Sequence, residues 1–387
     1  MHTADLSFWI ALLSLIAAAQ GIFLSIILVG RRQNSVANHI LSAAMLLFSF
    51  ELVTTFYHGS GLDVRFPQLI GATYAFPFLY SPIFFLYAQA LTGSFRRTRS
   101  KLWHFVPFLL VTAFMVPFYL MSGAEKLLIL QNPSASPWSQ KLFIVDNLTF
   151  VYSLIYLVAI LRVIEKHRRR IRDRFSSLDK VNLGWLRILA YGGLGTWFVA
   201  LGFYVTGFLV KGGNFDPIQG YSDYVSLALA AFVYGIGYMG LRQPEIFRPD
   251  LATEEPKEEP TAYARSGVSN DQGREIESRL VELMRVAAPY RDPELTLPQL
   301  AEQLDVTPHN LSQVINSRLG VNFYDFVNQY RVEQVKRRIE EDHTSLLTLL
   351  SIGLDAGFNS KSSFNAVFKK QVGCTPSEYR RRVGGET

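Results

Sequence analysis

Long apolar stretches recur through the first 241 residues and then stop. Seven of them, residues 6–28, 38–57, 70–91, 105–121, 142–163, 188–209 and 224–241, approach or exceed the length needed to cross a hydrocarbon core of about 30 Å, about 20 helical residues. Backbone polar groups in lipid must be satisfied within the segment, so helices are the predicted form. A barrel would instead show alternating segments of about ten residues, and the sequence shows none. From Arg274 onward the apolar positions return with helical spacing but with charged residues between them, the pattern of a soluble all-α domain. The predicted fold class is therefore all-α: a seven-helix transmembrane domain over 1–249, a linker over 250–273 and a soluble helical tail over 274–387.

The linker is set apart by composition. It holds Glu254, Glu255, Glu258, Glu259, Pro256, Pro260 and Gly267, too little apolar surface to fold by itself. A flexible chain of that length reaches on the order of 25 Å. Within the tail one pattern occurs twice. In 297–319, Leu297, Leu300, Ala301 and Leu304 make a short helix that ends near Asp305-Val306. Thr307 is then a good N-cap with Pro308 at the first helical position. In 347–371, Leu349, Leu350 and Ile352 lead to a turn at Gly357-Phe358, and Ser360 caps the next helix. Two short helices on a tight turn make a helix-turn-helix. Between the two copies, 324–341 reads as one amphipathic helix with Val327, Tyr330, Val335 and Ile339 inward. It makes a rod of about 27 Å, comparable to the ~34 Å between successive major grooves on one face of DNA.

Charge fixes a direction. Alternate loops carry Arg31, Arg32; Arg96, Arg97, Arg99, Lys101; and Lys166, Arg168, Arg169, Arg170, Arg172, Arg174, Lys180, Arg187. The intervening loops carry only Arg65, Lys126, Lys141 and Lys211. The positive-inside bias places the N-terminus outside and the tail in the cytoplasm of a multi-pass inner-membrane protein. The run at 162–180 reads most simply as a topology determinant. The first apolar run has its positive charge after it rather than before it, which argues against a cleaved signal peptide. A single cysteine, Cys374, excludes an intrachain disulfide and a cysteine-based zinc site. No phosphate loop, kinase motif or nucleophile elbow is present, so no enzyme activity, metal or cofactor is expected.

The run Gly357-Phe358-Asn359-Ser360-Lys361-Ser362-Ser363-Phe364, followed by Phe368-Lys369-Lys370 and by Gly373-Cys374-Thr375-Pro376-Ser377-Glu378-Tyr379-Arg380, resembles the signature of AraC-type transcription regulators. Leu311-Ser312-Gln313-Val314-Ile315-Asn316 and Asn328-Gln329-Tyr330-Arg331 are similar to the same family, especially its membrane-anchored members. The resemblance covers about 274–382 and implies two helix-turn-helix units on one connecting helix, binding double-stranded DNA and contacting RNA polymerase. The soluble sugar-sensing barrel of many members is absent. Gly353 stands where the family usually has alanine, which is expected to loosen that helix.

Candidate residues follow from the outward faces. His309, Asn310, Ser312, Gln313 and Asn316 on the first recognition helix, and Lys361, Ser362 and Asn365 on the second, suit base edges in a major groove. Arg331, Lys336, Lys369, Lys370 and Arg380 are the candidate phosphate contacts. From Gly273 to the end, basic and acidic residues balance at fifteen each, so the expected salt dependence is modest. Glu51 and Asp146 lie within spans, where ionisable groups are costly and often functional, and are candidates for sensing a signal ligand. A further helix over 274–288 is expected to pair two copies. The rival reading, a transporter or membrane enzyme with a regulatory tail, would need several paired ionisable groups near the midplane, and Glu51 is the one clear case.

Overall fold

The computed structural model describes residues 2–32, 35–95, 98–132, 136–179, 181–210, 227–228, 230–235, 239, 269–342 and 346–384. Among them the secondary structure is helical, with a single isolated bridge between Phe175 and Thr296. The chain divides into two compact units, one made of Met1–Glu165 and Leu183–Glu245, the other of Lys166–Asn182 and Ile246–Thr387.

In the first unit α1 spans His2–Gly30 and α2 spans Ser35–Gly59. They pack antiparallel, with Ser25 and Ser42 hydroxyls 2.7 Å apart. At Gly21 a Cβ would fall 2.3 Å from Ser49 Oγ, so a side chain there would require that hydroxyl to move. A short α3 follows at Leu62–Arg65, then α4 at Pro77–Leu91, α5 at Val106–Tyr119, α6 at Gly123–Gln131, α7 at Pro137–Arg172 and α8 at Gly184–Val210. A core of Tyr57, Ile70, Phe78, Met115, Phe118, Ile129, Leu142 and Val145 joins several of these helices. Four helical stretches among the described residues are long and apolar enough to cross a membrane: Phe8–Gly30, Ser35–Gly59, Arg99–Tyr119 and Pro137–Arg172.

The seven predicted spans are therefore matched only in part. The span expected over 70–91 is not one helix. Its first third is a series of turns in which Gly71 takes φ +78° beneath the Phe118 ring, and the helix proper starts at Pro77. Its 15 residues give about 22 Å, short of a hydrocarbon core. The fourth span gains length from a 3₁₀ segment at Arg99–Phe105. Half of the seventh span lies outside the described residues, as does the whole linker up to residue 268.

The second unit begins its tail with α9 at Asn270–Val286, capped by Ser269, so the helix opens inside the segment read as linker. Then come α10 at Leu297–Gln303, α11 at Pro308–Ser317, α12 at Phe323–Glu341, α13 at Leu349–Asp355, α14 at Lys361–Val372 and α15 at Pro376–Val383. Two separate cores form. One gathers Ile276, Leu280 and Met284 of α9, Leu300, Leu311 and Ile315 of the first pair, and Phe323, Phe326 and Val327. The other gathers Val332, Val335 and Ile339 with Ile352, Phe358, Phe364, Val367 and Phe368. At 100° per residue, Phe323, Phe326, Val327 and Tyr330 centre on one direction of α12, while Val332, Val335 and Ile339 centre about 160° away. The helix expected to carry one apolar face carries two, one for each core. The apolar stripe of α9 packs into the first core of its own chain, which removes it as the free surface expected to pair two copies.

A candidate nucleic-acid interface

Each recognition helix is started by its cap and aimed by its core. Thr307 Oγ1 accepts the Asn310 amide at 3.2 Å and starts α11 with Pro308 in the first turn. Leu311, Val314 and Ile315 are buried beneath it. His309 and Asn316 are then exposed, and Asn310, Ser312 and Gln313 half-buried, with Asn316 Nδ2 donating to Ser312 Oγ at 3.2 Å. Ser360 Oγ accepts the Ser363 amide at 3.1 Å and starts α14. With Phe364, Val367 and Phe368 inward, Lys361 and Ser362 are exposed and Asn365 is half-buried. The turns before both helices contain a residue at positive φ, Asp305 at 53° and Gly357 at 99°. Val306 and Phe358 each return an amide hydrogen bond to the carbonyl five residues back, Ala301 and Gly353, at 3.0 and 3.1 Å. The internal duplication seen in sequence is thus also a duplication of turn geometry. The result is two short helices, each with a polar outer face, mounted on the two opposed faces of α12.

The candidate phosphate contacts divide. Lys369 and Lys370 are exposed at the end of α14, with Lys370 paired to Asp325 at 3.0 Å. Burial disfavours the Asp325 charge, but Lys370, Arg172 and Asn322 outweigh it and hold the carboxyl below the usual carboxylate range. Lys336 pairs with Glu333 on the surface at 2.8 Å. Arg380 is occupied within the fold, donating to the Leu347 carbonyl at 2.9 Å and reaching Asp342 at 3.5 Å.

Arg331 is a correction. It is 1% exposed, the largest fully buried side chain among the described residues. Its Nε donates to the Tyr290 carbonyl at 2.8 Å, Nη2 to the Asp292 carbonyl at 2.8 Å and to Ser176 Oγ at 2.9 Å, and Nη1 to the Ser176 carbonyl at 2.9 Å. Burial pulls its pKa down to about 10, opposed by Tyr324 and Asp292, so the guanidinium stays charged at neutral pH. A guanidinium has five donors in a fixed fork, which suits several carbonyls at once. A side chain so enclosed does not reach a phosphate. Gly353 also departs from expectation: a Cβ there would lie 2.9 Å from the Phe364 ring, so its missing side chain is the seat of that ring rather than a weakness.

A profile for a helix-turn-helix domain matches residues 300–382. Residues 300–382 are an AraC-type helix-turn-helix domain. The arabinose operon regulatory protein of Salmonella typhimurium is 27% identical over 89 residues, 23% of this chain and 31% of that protein. The uncharacterized transcriptional regulatory protein YesN of Bacillus subtilis is 29% identical over 114 residues, 29% of this chain and 30% of that one. An uncharacterized HTH-type transcriptional regulator of Staphylococcus aureus is 34% identical over 87 residues, 22% of this chain and 11% of its own length. The chain thus spans about a third or less of the length of these relatives. No solved structure matches the chain.

In the first unit the two acids read as lying within spans each meet a tyrosine. Tyr80 donates to Glu51 Oε2 at 3.0 Å and Tyr74 to Asp146 Oδ1 at 3.0 Å. Sequence reasoning singled out the acids without their partners.

Proposed function

We propose that the protein is a membrane-embedded transcription regulator whose AraC-type domain reads double-stranded DNA from the cytoplasm. The observation that carries this is the pair of capped recognition helices, each on its own core and both mounted on α12. The membrane half rests on the four long apolar helices and on their outward surfaces. Trp9, Phe23 and Ile26 on α1, Leu109 and Leu110 on α5, and Ile155 on α7 are all more than half exposed. Water-facing helices do not carry apolar residues at that density. The loop charges give an inner-membrane protein with its N-terminus outside. The Glu51–Tyr80 and Asp146–Tyr74 pairs are where a signal ligand would act, because separating either pair in the membrane is costly. Pairing of two copies on tandem half-sites and contact with RNA polymerase follow from the family resemblance.

Two outcomes test this reading. A reporter active only outside the cytoplasm is expected to be silent when fused after Arg248 and active within the loop 122–140. The reverse pattern ends the topology. In DNA selection with residues 269–387, Gln313→Ala and Asn365→Ala are each expected to cost about 1–3 kcal/mol at the selected site and to relax preference at one or two base pairs. Those base positions should lie about one helical turn, roughly 10 bp, apart. Lys369→Ala is expected to weaken all sequences alike and make the salt slope shallower by about one. A folded domain with no sequence preference would sink the regulator reading.

A further inference from the structure

The segment that follows α7 is not an idle basic loop. Residues 172–179 lie on the AraC-type domain within the same compact unit. Their backbone pairs with the stretch before α10: Ser176 N donates to the Leu295 carbonyl at 3.1 Å, and Leu297 N donates to the Arg174 carbonyl at 2.9 Å. Phe175 and Thr296 form the bridge between these bonds. Ser176 is 1% exposed, with its carbonyl and hydroxyl held by Arg331 and its carbonyl also by Asn328 at 3.2 Å. Arg172 pairs with Asp325 of α12 at 2.7 Å and lies over the Tyr324 ring at 5.6 Å. Further along, Ser177 Oγ accepts from Asn359 Nδ2 at 2.8 Å, and Asp179 Oδ2 accepts from Ser360 Oγ at 2.8 Å.

The last two contacts decide what the docking does. Ser360 is the N-cap of α14, and Lys361 and Ser362 follow it directly. A recognition helix enters the major groove by its N-terminal residues, and the first turn of a helix favours an anion. In this protein the anion already at that end is the Asp179 carboxylate. A DNA phosphate brought to the same place meets a like charge and an occupied cap. The contacts described touch the start of α10, α12 and the second helix-turn-helix, and none of them is to α11.

We propose that residues 172–179 are an intramolecular ligand of the AraC-type domain, a segment of this same chain whose docking on the 292–297 stretch, Arg331 and the α14 N-terminus excludes DNA from the second recognition helix. Docking and full DNA engagement are then alternative states. The segment is covalently continuous with α7, so a change in the membrane helices reaches the recognition helix by docking or releasing it. This rests on the DNA-binding reading above.

The test uses the full chain in lipid nanodiscs. Ser177→Cys is combined with Asn359→Cys and bridged by a short bis-methanethiosulfonate that dithiothreitol cuts. The native Cys374 is buried and stays in place. The probe is a duplex selected in vitro with residues 269–387. The bridged protein is expected to bind it about tenfold or more weaker than the same sample after cutting, the scale of losing one good base contact. Asp179→Ala, without crosslinking, is expected to bind more tightly than wild type. Equal affinity before and after cutting overturns the proposal while leaving the regulator reading intact, and so does failure of the two cysteines to bridge. If residues 269–387 bind no duplex in any form, the regulator reading fails and this proposal falls with it.

Discussion

Arg331→Ala is expected to destabilise a soluble fragment of residues 269–387 by about 2 to 4 kcal/mol, with no change in the salt dependence of DNA binding by the fraction that remains folded. In that fragment the guanidinium still answers the Tyr290 and Asp292 carbonyls. Each buried acceptor left without a donor costs about 1–3 kcal/mol, less whatever water recovers by entering the space. A phosphate contact would behave in the opposite way, leaving stability unchanged and lowering the salt slope by about one. Arg331→Lys is expected to recover less than half of the loss. An ammonium is a point charge and cannot span carbonyls that the planar fork reaches together. Urea unfolding followed by circular dichroism, beside a salt titration of binding, separates the two roles. A stable Arg331→Ala fragment with a shallower slope would restore the phosphate reading.

The two helix-turn-helix units were legible because their punctuation is chemical and local. Thr307-Pro308, Ser360 and Gly357 each have one strong structural use, and the apolar spacing on either side agrees with it. What was not legible depended on distant pairing. Nothing within 166–182 marks it as a docking strand, because most of its bonds to the AraC-type domain run through backbone and hydroxyl groups that any such segment carries. Arg331 was misread because a basic residue in a DNA-binding domain has an obvious surface use. Its position did hold the signal. At 100° per residue it falls between the two apolar faces of α12, about 80° from Phe323, where a charged side chain has core on both sides. In the first unit, hydropathy counted residues 70–76 into a span without asking whether the backbone there is helical. Gly71 at φ +78° and Pro77 at the first helical turn are the physical reasons that it is not.

Gly357→Ala should be the most damaging single-methyl change in the AraC-type domain. At φ +99° the residue sits beyond the left-handed region that asparagine or aspartate tolerates, which alone costs an alanine about 1–2 kcal/mol or more. Its Cβ would also fall 2.3 Å from the Tyr290 carbonyl oxygen and 3.0 Å from the Cα and carbonyl oxygen of Arg291, backbone atoms that cannot turn aside as a side chain can. Forcing that stretch outward adds about 1–3 kcal/mol, for a total of about 2 to 5 kcal/mol. Gly320→Ala is the control. Gly320 also has positive φ, at +71°, but nothing lies within 4 Å of the added carbon, so only the conformational cost should appear. The difference between the two variants, measured by urea unfolding of residues 269–387, isolates the close approach; equal losses would mean that it is not tight. The Tyr290 carbonyl is also the acceptor for Arg331 Nε at 2.8 Å. A methyl at 357 therefore displaces the group that Arg331 holds. The double variant Gly357→Ala with Arg331→Ala should lose less than the sum of the single losses, by more than about 0.5 kcal/mol. Strict additivity would show that the turn before α14 and the buried guanidinium act on Tyr290 independently.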